Sequence, residues 1–197
     1  MSFSQLQADA VSILAAWPAP DEALAAERDR YLSHLSTHHG AMSRDGGPDH
    51  FTCGGLVFDP TLEQVALVLH GKAKLWLQPG GHFEADDSSL AAAAAREVVE
   101  ETGLPVDADR AELVDLHHHQ LSAAFGRCRS HLDLRFAFVL DAPAPIVVSA
   151  ELDAAQWWPV DALPEPTDPD LAGIVRRVRD QLRPGRPSES AGARSRS

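Results

Sequence analysis

The chain has 197 residues, of which 44% are hydrophobic, and it carries a formal net charge of −12 at pH 7. This length suits one domain with a sizeable core, and no apolar run is long enough to span a bilayer. The acidic balance argues against bulk attraction to nucleic acid or to an anionic membrane. A small phosphorylated substrate stays compatible with it, because a bound cation reverses the local charge.

The N-terminal segment and the cysteines favour a cytoplasmic protein. The first 20 residues lack a basic leader followed by a long apolar stretch, so they predict no secretion signal. Cys53 and Cys128 are too few for a disulfide scaffold and lack the spacing of a zinc knuckle. A reducing compartment is the default for such a chain.

The elements are predicted in the following order. Helices are expected over residues 4–16 and 21–39, strands over 51–58, 65–70 and 75–77, a helix over 88–102, strands over 111–118, 132–139 and 156–159, and a closing helix over 168–182. The first two strands read as a hairpin. Strands on both sides of one central helix predict a mixed α/β sandwich.

Helix ends and domain limits follow from local chemistry. Asp87 or Ser88 is expected to cap the central helix, Gly103 to end it in a left-handed conformation, and Asp168 to cap the last helix. We assign residues 1–45 to a helical extension, 46–183 to the main domain, and 184–197, which are basic, small and polar, to a disordered tail. The extension would cover the sheet, shape the pocket or pair two subunits.

Three glutamates crowd one face of the central helix. Glu97, Glu100 and Glu101 are spaced so that they point roughly the same way, and like charges at this spacing cost about 0.2–0.5 kcal/mol per pair. A hard divalent cation such as Mg²⁺ would offset that repulsion. Arg96 stands next to the trio and is expected to hold one carboxylate in a bidentate pair. The preceding Gly80-Gly81 lets the backbone turn sharply and approach a ligand closely.

This stretch resembles the Nudix box, G-x5-E-x7-R-E-U-x-E-E-x-G-U with U aliphatic. The second half matches without gaps, from Arg96 to Leu104. In the first half, Gly81 followed by five residues reaches Asp87 in place of Glu, and eight residues instead of seven then precede Arg96. One extra residue at the loop–helix junction accounts for the shift and puts the role of Asp87 in doubt. The resemblance covers about residues 50–180 and implies a Nudix-like α/β/α sandwich with a mixed sheet and extra N-terminal helices.

The resemblance implies a hydrolase of a nucleoside diphosphate linked to another group, acting by attack of water on phosphorus. Mg²⁺ or Mn²⁺ is the implied cofactor. By resemblance Glu97, Glu101 and the Gly81 carbonyl are metal ligands, and Glu100 is a ligand or the general base. Arg96 orients Glu97 or Glu100. Many Nudix proteins are dimers, so a homodimer is compatible with the family.

Substrate residues are predicted from their position. His82 follows Gly81 and lies near any bound phosphate. His131, Asp133 and Arg135 alternate onto one strand face, which indicates either a pocket wall or an exposed sheet face. Lys74 is a weaker candidate for a phosphate contact.

Other notable side chains are assigned mainly to structure. His117 and His119 would share a face that His118 does not. They are interpreted as strand-end histidines, with metal binding as the alternative. Core positions are favoured for the aromatic and thiol side chains Trp76, Trp157, Trp158 and Cys53.

Two alternatives to a hydrolase are open at this level. A catalytically silent binding or regulatory module would be expected to lose box glutamates, and this chain keeps all three. An isoprenoid diphosphate isomerase would be expected to bring a catalytic cysteine, and neither cysteine lies in recognisable surroundings. Net charge disfavours a nucleic-acid substrate, so the expected partner is a small diphosphate or nucleotide.

Overall fold

The computed structural model describes residues 2–121, 128–150 and 152–183. Within them the α-helices are α1 (Phe3–Ala16), α2 (Glu22–Thr37), α3 (Leu90–Thr102) and α4 (Leu171–Leu182), and the strands are β1 (Asp49–Phe58), β2 (Gln64–His70), β3 (Leu75–Leu77), β4 (Gly80–His82), β5 (Glu112–Gln120), β6 (Ser130–Val139) and β7 (Ala154–Pro159). A 3₁₀ turn spans Ala108–Arg110. None of these helices is long and apolar enough to cross a membrane. The predicted tail, 184–197, lies outside the described residues.

The strands form one mixed sheet in the order β3-β2-β1-β6-β5, with β4 paired to β1 and β7 paired to β2. β1 and β6 are parallel along their whole length, and the other pairs are antiparallel. The predicted β1–β2 hairpin and the mixed α/β fold are therefore confirmed. β4 was not predicted, because three residues with two glycines carry no strand signal.

Alternation along the strands divides the core between two faces of the sheet. Phe51 and Cys53 face a core that α1, α2 and α3 complete, whereas Leu56 and Phe58 face a second core built with Val175 of α4. Helices thus cover both faces, and the catalytic candidates lie on α3. The tryptophans are core residues as predicted: Trp76 is 8% exposed, and Trp157 packs against the first core.

The two N-terminal helices pack into the first core. Leu6 of α1 and Tyr31 of α2 are fully buried there. The Trp17 indole donates a hydrogen bond to the Leu113 carbonyl, 2.7 Å away. The Asp9 carboxylate accepts from the Leu90 amide at 3.0 Å and so satisfies a free N–H at the start of α3. Of the roles considered for the extension, covering the sheet is the one that these contacts support.

Two predicted helix caps are wrong. Ser89, and not Asp87 or Ser88, caps α3 by accepting from the Ala92 amide at 3.0 Å. The helix α4 begins at Leu171 after Asp170, whose side chain makes no capping bond, while Asp168 accepts from the Asp170 amide at 2.9 Å. Gly103 ends α3 in the left-handed conformation as predicted, with φ 66°.

Candidate active site

The site is assembled where β4 pairs with the middle of β1 beside α3. Gly80 and Gly81 pair with Gly54 and Cys53, which fixes the glycine turn against the middle of the sheet. A Cβ at Gly81 would lie 2.6 Å from the Glu97 carboxylate, and the Gly80 amide donates to the Glu101 carboxylate at 3.0 Å. Glycine at position 81 is what allows this close approach.

The three glutamates of α3 differ in their surroundings. The Glu97 side chain is 14% exposed and the Glu100 side chain 58%. Burial raises the pKa of Glu97, although the Arg96 guanidinium opposes the rise. The arrangement therefore ranges from an inner carboxylate under the glycine turn to an outer one that reaches solvent.

Arg96 connects the helix to the glycine loop. Its Nε and Nη2 donate to the two oxygens of Asp87 at 2.9 and 3.1 Å, and Nη2 also donates to the His82 carbonyl at 3.0 Å. Nη1 donates to Glu97 at 2.9 Å and to Glu100 at 3.3 Å. The predicted bidentate pair with a glutamate is therefore corrected: Asp87 is the bidentate partner, because the loop folds its carboxylate back over the helix. The Asp87 hydrogen bonds are the main reason that the pKa of Arg96 is raised.

The donor atoms of this region suit a hard cation. Carboxylates and a backbone carbonyl are the oxygen ligands that Mg²⁺ and Mn²⁺ prefer, and Mg²⁺ often takes only one or two protein carboxylates. The types of donor atom match the cation, although the described side chains do not enclose a complete ligand set. Away from the glutamates, in the part of the chain that the structure describes, three potential ligand atoms lie within 4.8 Å of one another at two places. One is His50, Cys128 and His131, and the other is His117, Asp168 and Asp170.

The opposite face of β1 and β6 carries a buried polar network. Arg135, 2% exposed, donates to Asp133 at 3.0 Å, to Asp115 at 3.3 Å and to the His117 ring at 2.9 Å. Asp133, 4% exposed, also accepts from Gln78 at 3.1 Å. The predicted shared face is confirmed, and the exposed-face alternative is wrong for Asp133 and Arg135, since both are buried.

Asp115 is the member of this network that sequence reasoning missed. It accepts from both Arg135 and Arg177 and is 2% exposed, and its burial raises its pKa against the influence of both arginines. Asp115 lies two residues before His117 in β5, and this spacing indicates that the two side chains share a face of the strand. Arg177 comes from α4, and nothing local in the sequence connects it to Asp115.

Histidines gather at the end of the same face. The rings of His50, His82 and His131 have centroids 4.9–5.2 Å apart, and His119 lies 5.3 Å from His131. Burial lowers the pKa of His82 to about 4 and that of His131 to about 3, so both rings are neutral near pH 7. His117 and His119 stack at 5.4 Å as their predicted shared face requires.

The NUDIX domain family matches residues 48–178 of the chain. The chain is a Nudix hydrolase. An RNA pyrophosphohydrolase from Agrobacterium fabrum is 31% identical over 122 residues, which cover 55% of this chain and 71% of the relative. The comparison supports hydrolysis of a pyrophosphate bond.

Solved structures share the Nudix fold. A hydrolase of the NUDIX family from Clostridium perfringens superposes with a TM-score of 0.57 at 20% identity, covering 68% of this chain and 98% of that one. The NUDIX domain of Shewanella oneidensis NrtR, solved in complex with ADP ribose, gives 0.55 at 20% identity, covering 68% and 88%. These similarities show that the chain has the Nudix fold. The helices α1 and α2 lie before residue 48, where the family match begins.

The remaining candidate lies apart from the Nudix glutamates. Lys74 forms an ion pair with Asp153 at 2.7 Å, and its side chain is 70% exposed. His50 was not singled out from the sequence. Only the parallel pairing of β1 with β6, which sets His50 opposite His131, brings it into the histidine group.

Proposed function

We propose that this Nudix hydrolase cleaves a diphosphate linkage in a nucleoside diphosphate joined to another moiety, by metal-dependent attack of water on phosphorus. The approach of Glu97 to Gly81, with Glu101 joined to the Gly80 amide, is the observation that supports this proposal most. It gathers oxygen donors from two distant parts of the chain at the turn where a phosphate would be approached by backbone.

We assign metal binding to Glu97, Glu101, Glu100 and the Gly81 carbonyl. Mg²⁺ or Mn²⁺, when bound, would neutralise diphosphate charge and lower the pKa of a coordinated water. Glu97 is the inner ligand because it lies under the glycine turn. Glu101 is held beside the same turn by the Gly80 amide, which donates to one of its oxygens at 3.0 Å.

Glu100 is our candidate for the base that takes a proton from water. Its side chain is the more exposed of the two box glutamates to which Arg96 donates, so it reaches solvent while Arg96 Nη1 restrains it at 3.3 Å. Arg96 acts as a positioning residue. Its guanidinium is saturated by Asp87, Glu97, Glu100 and the His82 carbonyl, which leaves little donor capacity for substrate.

The polar side chains of β1 and β6 lie on the face of the sheet opposite Glu97, so we propose that they contact the part of the substrate farthest from the metal-bound diphosphate. His82 belongs to the same strand as Gly80 and Gly81, and its ring centroid lies 5.2 Å from that of His131. Asp133 and Arg135 are proposed to act mainly by fixing neighbours such as Gln78, since their own polar atoms are engaged. Lys74 is proposed as a peripheral phosphate contact that would first have to leave Asp153. A cytoplasmic location and a homodimer stay predictions.

The test is product release across a substrate panel with Mg²⁺ and, separately, Mn²⁺. The panel holds nucleoside triphosphates, ADP-ribose, dinucleoside polyphosphates, nucleotide sugars, coenzyme A and NADH. A 5′-triphosphorylated RNA is added because one relative is an RNA pyrophosphohydrolase. The net charge of −12 disfavours the RNA, so turnover of it above the small molecules would overturn our choice of substrate class.

Glu100→Gln is assayed beside the wild type. Glu63→Gln, at an exposed position outside the site, controls for the loss of one carboxylate charge. Loss of the base should lower kcat about 10²–10⁴-fold while Mg²⁺ and substrate binding persist. A nearly active Glu100→Gln would refute its role as base. Turnover unchanged by removing metal would refute metal dependence.

A further inference from the structure

The histidine group occupies the face of the sheet opposite the box glutamates. Gly81 pairs with Cys53, on the α3 side, whereas His82 pairs with Thr52, on the other side. Successive residues of β4 thus point to opposite faces. Any ligand of the histidines is separated by the sheet from a cation held by Glu97.

We propose that His50, His82, His131 and Cys128 form a second metal site, which takes a borderline-soft divalent ion of the Zn²⁺ class. One ligand nitrogen from each of His50 and His131 and the Cys128 sulfur lie within 4.8 Å of one another. The Nε2 atoms of His50 and His82 are 3.1 Å apart. Ligand atoms around a tetrahedral zinc, with bonds of about 2.0–2.3 Å, stand roughly 3.3–3.6 Å apart, so small side-chain rotations complete the set.

One hydrogen bond orients the His50 ring as a ligand. His50 Nδ1 donates to the Gly47 carbonyl at 3.1 Å, so its Nε2 carries the lone pair and accepts from His82 Nε2, a hydrogen bond that metal coordination would replace. A carbonyl on the far nitrogen is the usual partner of a metal-bound histidine, because it fixes the tautomer and the ring orientation.

His131 supplies an independent indication of a ligand. Its Nε2 is buried and has no hydrogen-bond partner among the residues that the structure describes. A buried nitrogen without a partner costs free energy, and coordination would remove that cost. Hydrogen bonding to substrate is the competing use. It would not call for a thiol beside three imidazoles, whereas nitrogen and sulfur donors together select zinc-class ions over Mg²⁺.

The test is zinc binding to the full chain after removal of metal with a chelator, in excess Mg²⁺ so that oxygen sites are saturated. We expect one Zn²⁺ per chain, measured by competition with a chromophoric chelator. His131→Gln and Cys128→Ser should each weaken Zn²⁺ binding by at least tenfold. His118→Gln, on the exposed face of β5, and Glu97→Gln should not change it.

Co²⁺ in place of Zn²⁺ gives a readout of the donor set. The wild type should show visible d–d absorption and a thiolate-to-cobalt band, and Cys128→Ser should lose the thiolate band. Equal zinc affinity in the His131 and Cys128 variants would overturn the proposal. So would loss of binding on Glu97→Gln, which would place the ion at the carboxylates.

A second measurement needs only the wild type, in case a variant fails to fold. Cys128 is partly exposed and Cys53 is buried. Zn²⁺, but not Mg²⁺, should slow alkylation of Cys128, with Cys53 as the internal reference. An alkylation rate that zinc leaves unchanged would overturn the site, because thiolate coordination blocks the nucleophile. Histidine variants that change KM for substrate without any zinc affinity in the wild type would do the same and favour substrate recognition.

Discussion

Gly81→Ala separates the function of the glycine turn from its role in the fold. The added Cβ would lie 2.6 Å from Cδ and both oxygens of Glu97, against an ordinary contact of 3.4 Å or more. The obstacle is the end of a flexible side chain and not backbone. We therefore expect the glutamate to move and the strand to stay.

The displacement sets the expected loss of activity. The carboxylate must retreat by about 0.8 Å, and a misplacement of about 1 Å at a reacting centre can cost 10²-fold. We expect kcat/KM to fall about 100-fold, or about 2.7 kcal/mol of transition-state stabilisation, with weaker binding of Mg²⁺. Stability should change by less than about 1 kcal/mol, since alanine also restricts the unfolded chain.

The assay pairs kinetics on the preferred substrate with urea unfolding. Gly173→Ala is the control for the substitution itself, because a Cβ there meets nothing within 4 Å. Gly80→Ala is the opposite contrast: its Cβ would lie 2.5 Å from the Cys53 carbonyl oxygen, so it should destabilise by about 1–3 kcal/mol. Wild-type activity in Gly81→Ala would refute the reasoning. A loss of stability equal to that of Gly80→Ala would also contradict it.

Three further predictions concern Asp87, Gly103 and His131. Asp87→Ala should destabilise the protein by about 1.5–3 kcal/mol, because Arg96 loses its bidentate partner but keeps its hydrogen bonds to two glutamates and a backbone carbonyl; a change below about 0.5 kcal/mol in urea unfolding would contradict this. Gly103→Ala should cost about 1 kcal/mol, since φ is 66° and the Cβ would lie 3.1 Å from Val147; an unchanged Tm would count against it. With metal removed by a chelator, the contribution of His131 to the free energy of unfolding should be fully present above about pH 6.5 and should fall as the pH drops toward 3. The reason is that His131 takes up a proton in the unfolded chain but stays neutral in the folded one, where its pKa is lowered to about 3. His131→Gln should flatten that slope in denaturation followed from pH 7 to 4, and an unchanged slope would assign it to other groups.

Much of the fold was readable from local patterns. The box helix, its left-handed end at Gly103 and the strand alternation that sets Asp133 and Arg135 on one face all depend on residues a few positions apart. Side-chain periodicity and helix capping are determined by residues this close together in the chain. The family resemblance then supplied the reaction class, and the match over residues 48–178 confirmed the family.

The tertiary structure decided which distant residues meet. Pairing of β4 with β1 brings Gly81 next to Glu97. The loop that follows β4 places Asp87 against Arg96, and Ser89 caps the helix. Neither contact follows from spacing alone, because an inserted residue changes loop geometry without changing the pattern around it.

The histidine group shows the same limit most clearly. His50, His82 and His131 are separated by 32 and 49 residues along the chain, and only the parallel register of β1 with β6 and the β4 pairing set them side by side. The sequence predicted only that His131 alternates with Asp133 along one strand; the strand of His82 was not predicted, and His50 lies just before the predicted strand 51–58. Sheet order and register determined that the three imidazoles share one end of one face, because hydrogen bonding between strands is fixed by the packing of the whole domain.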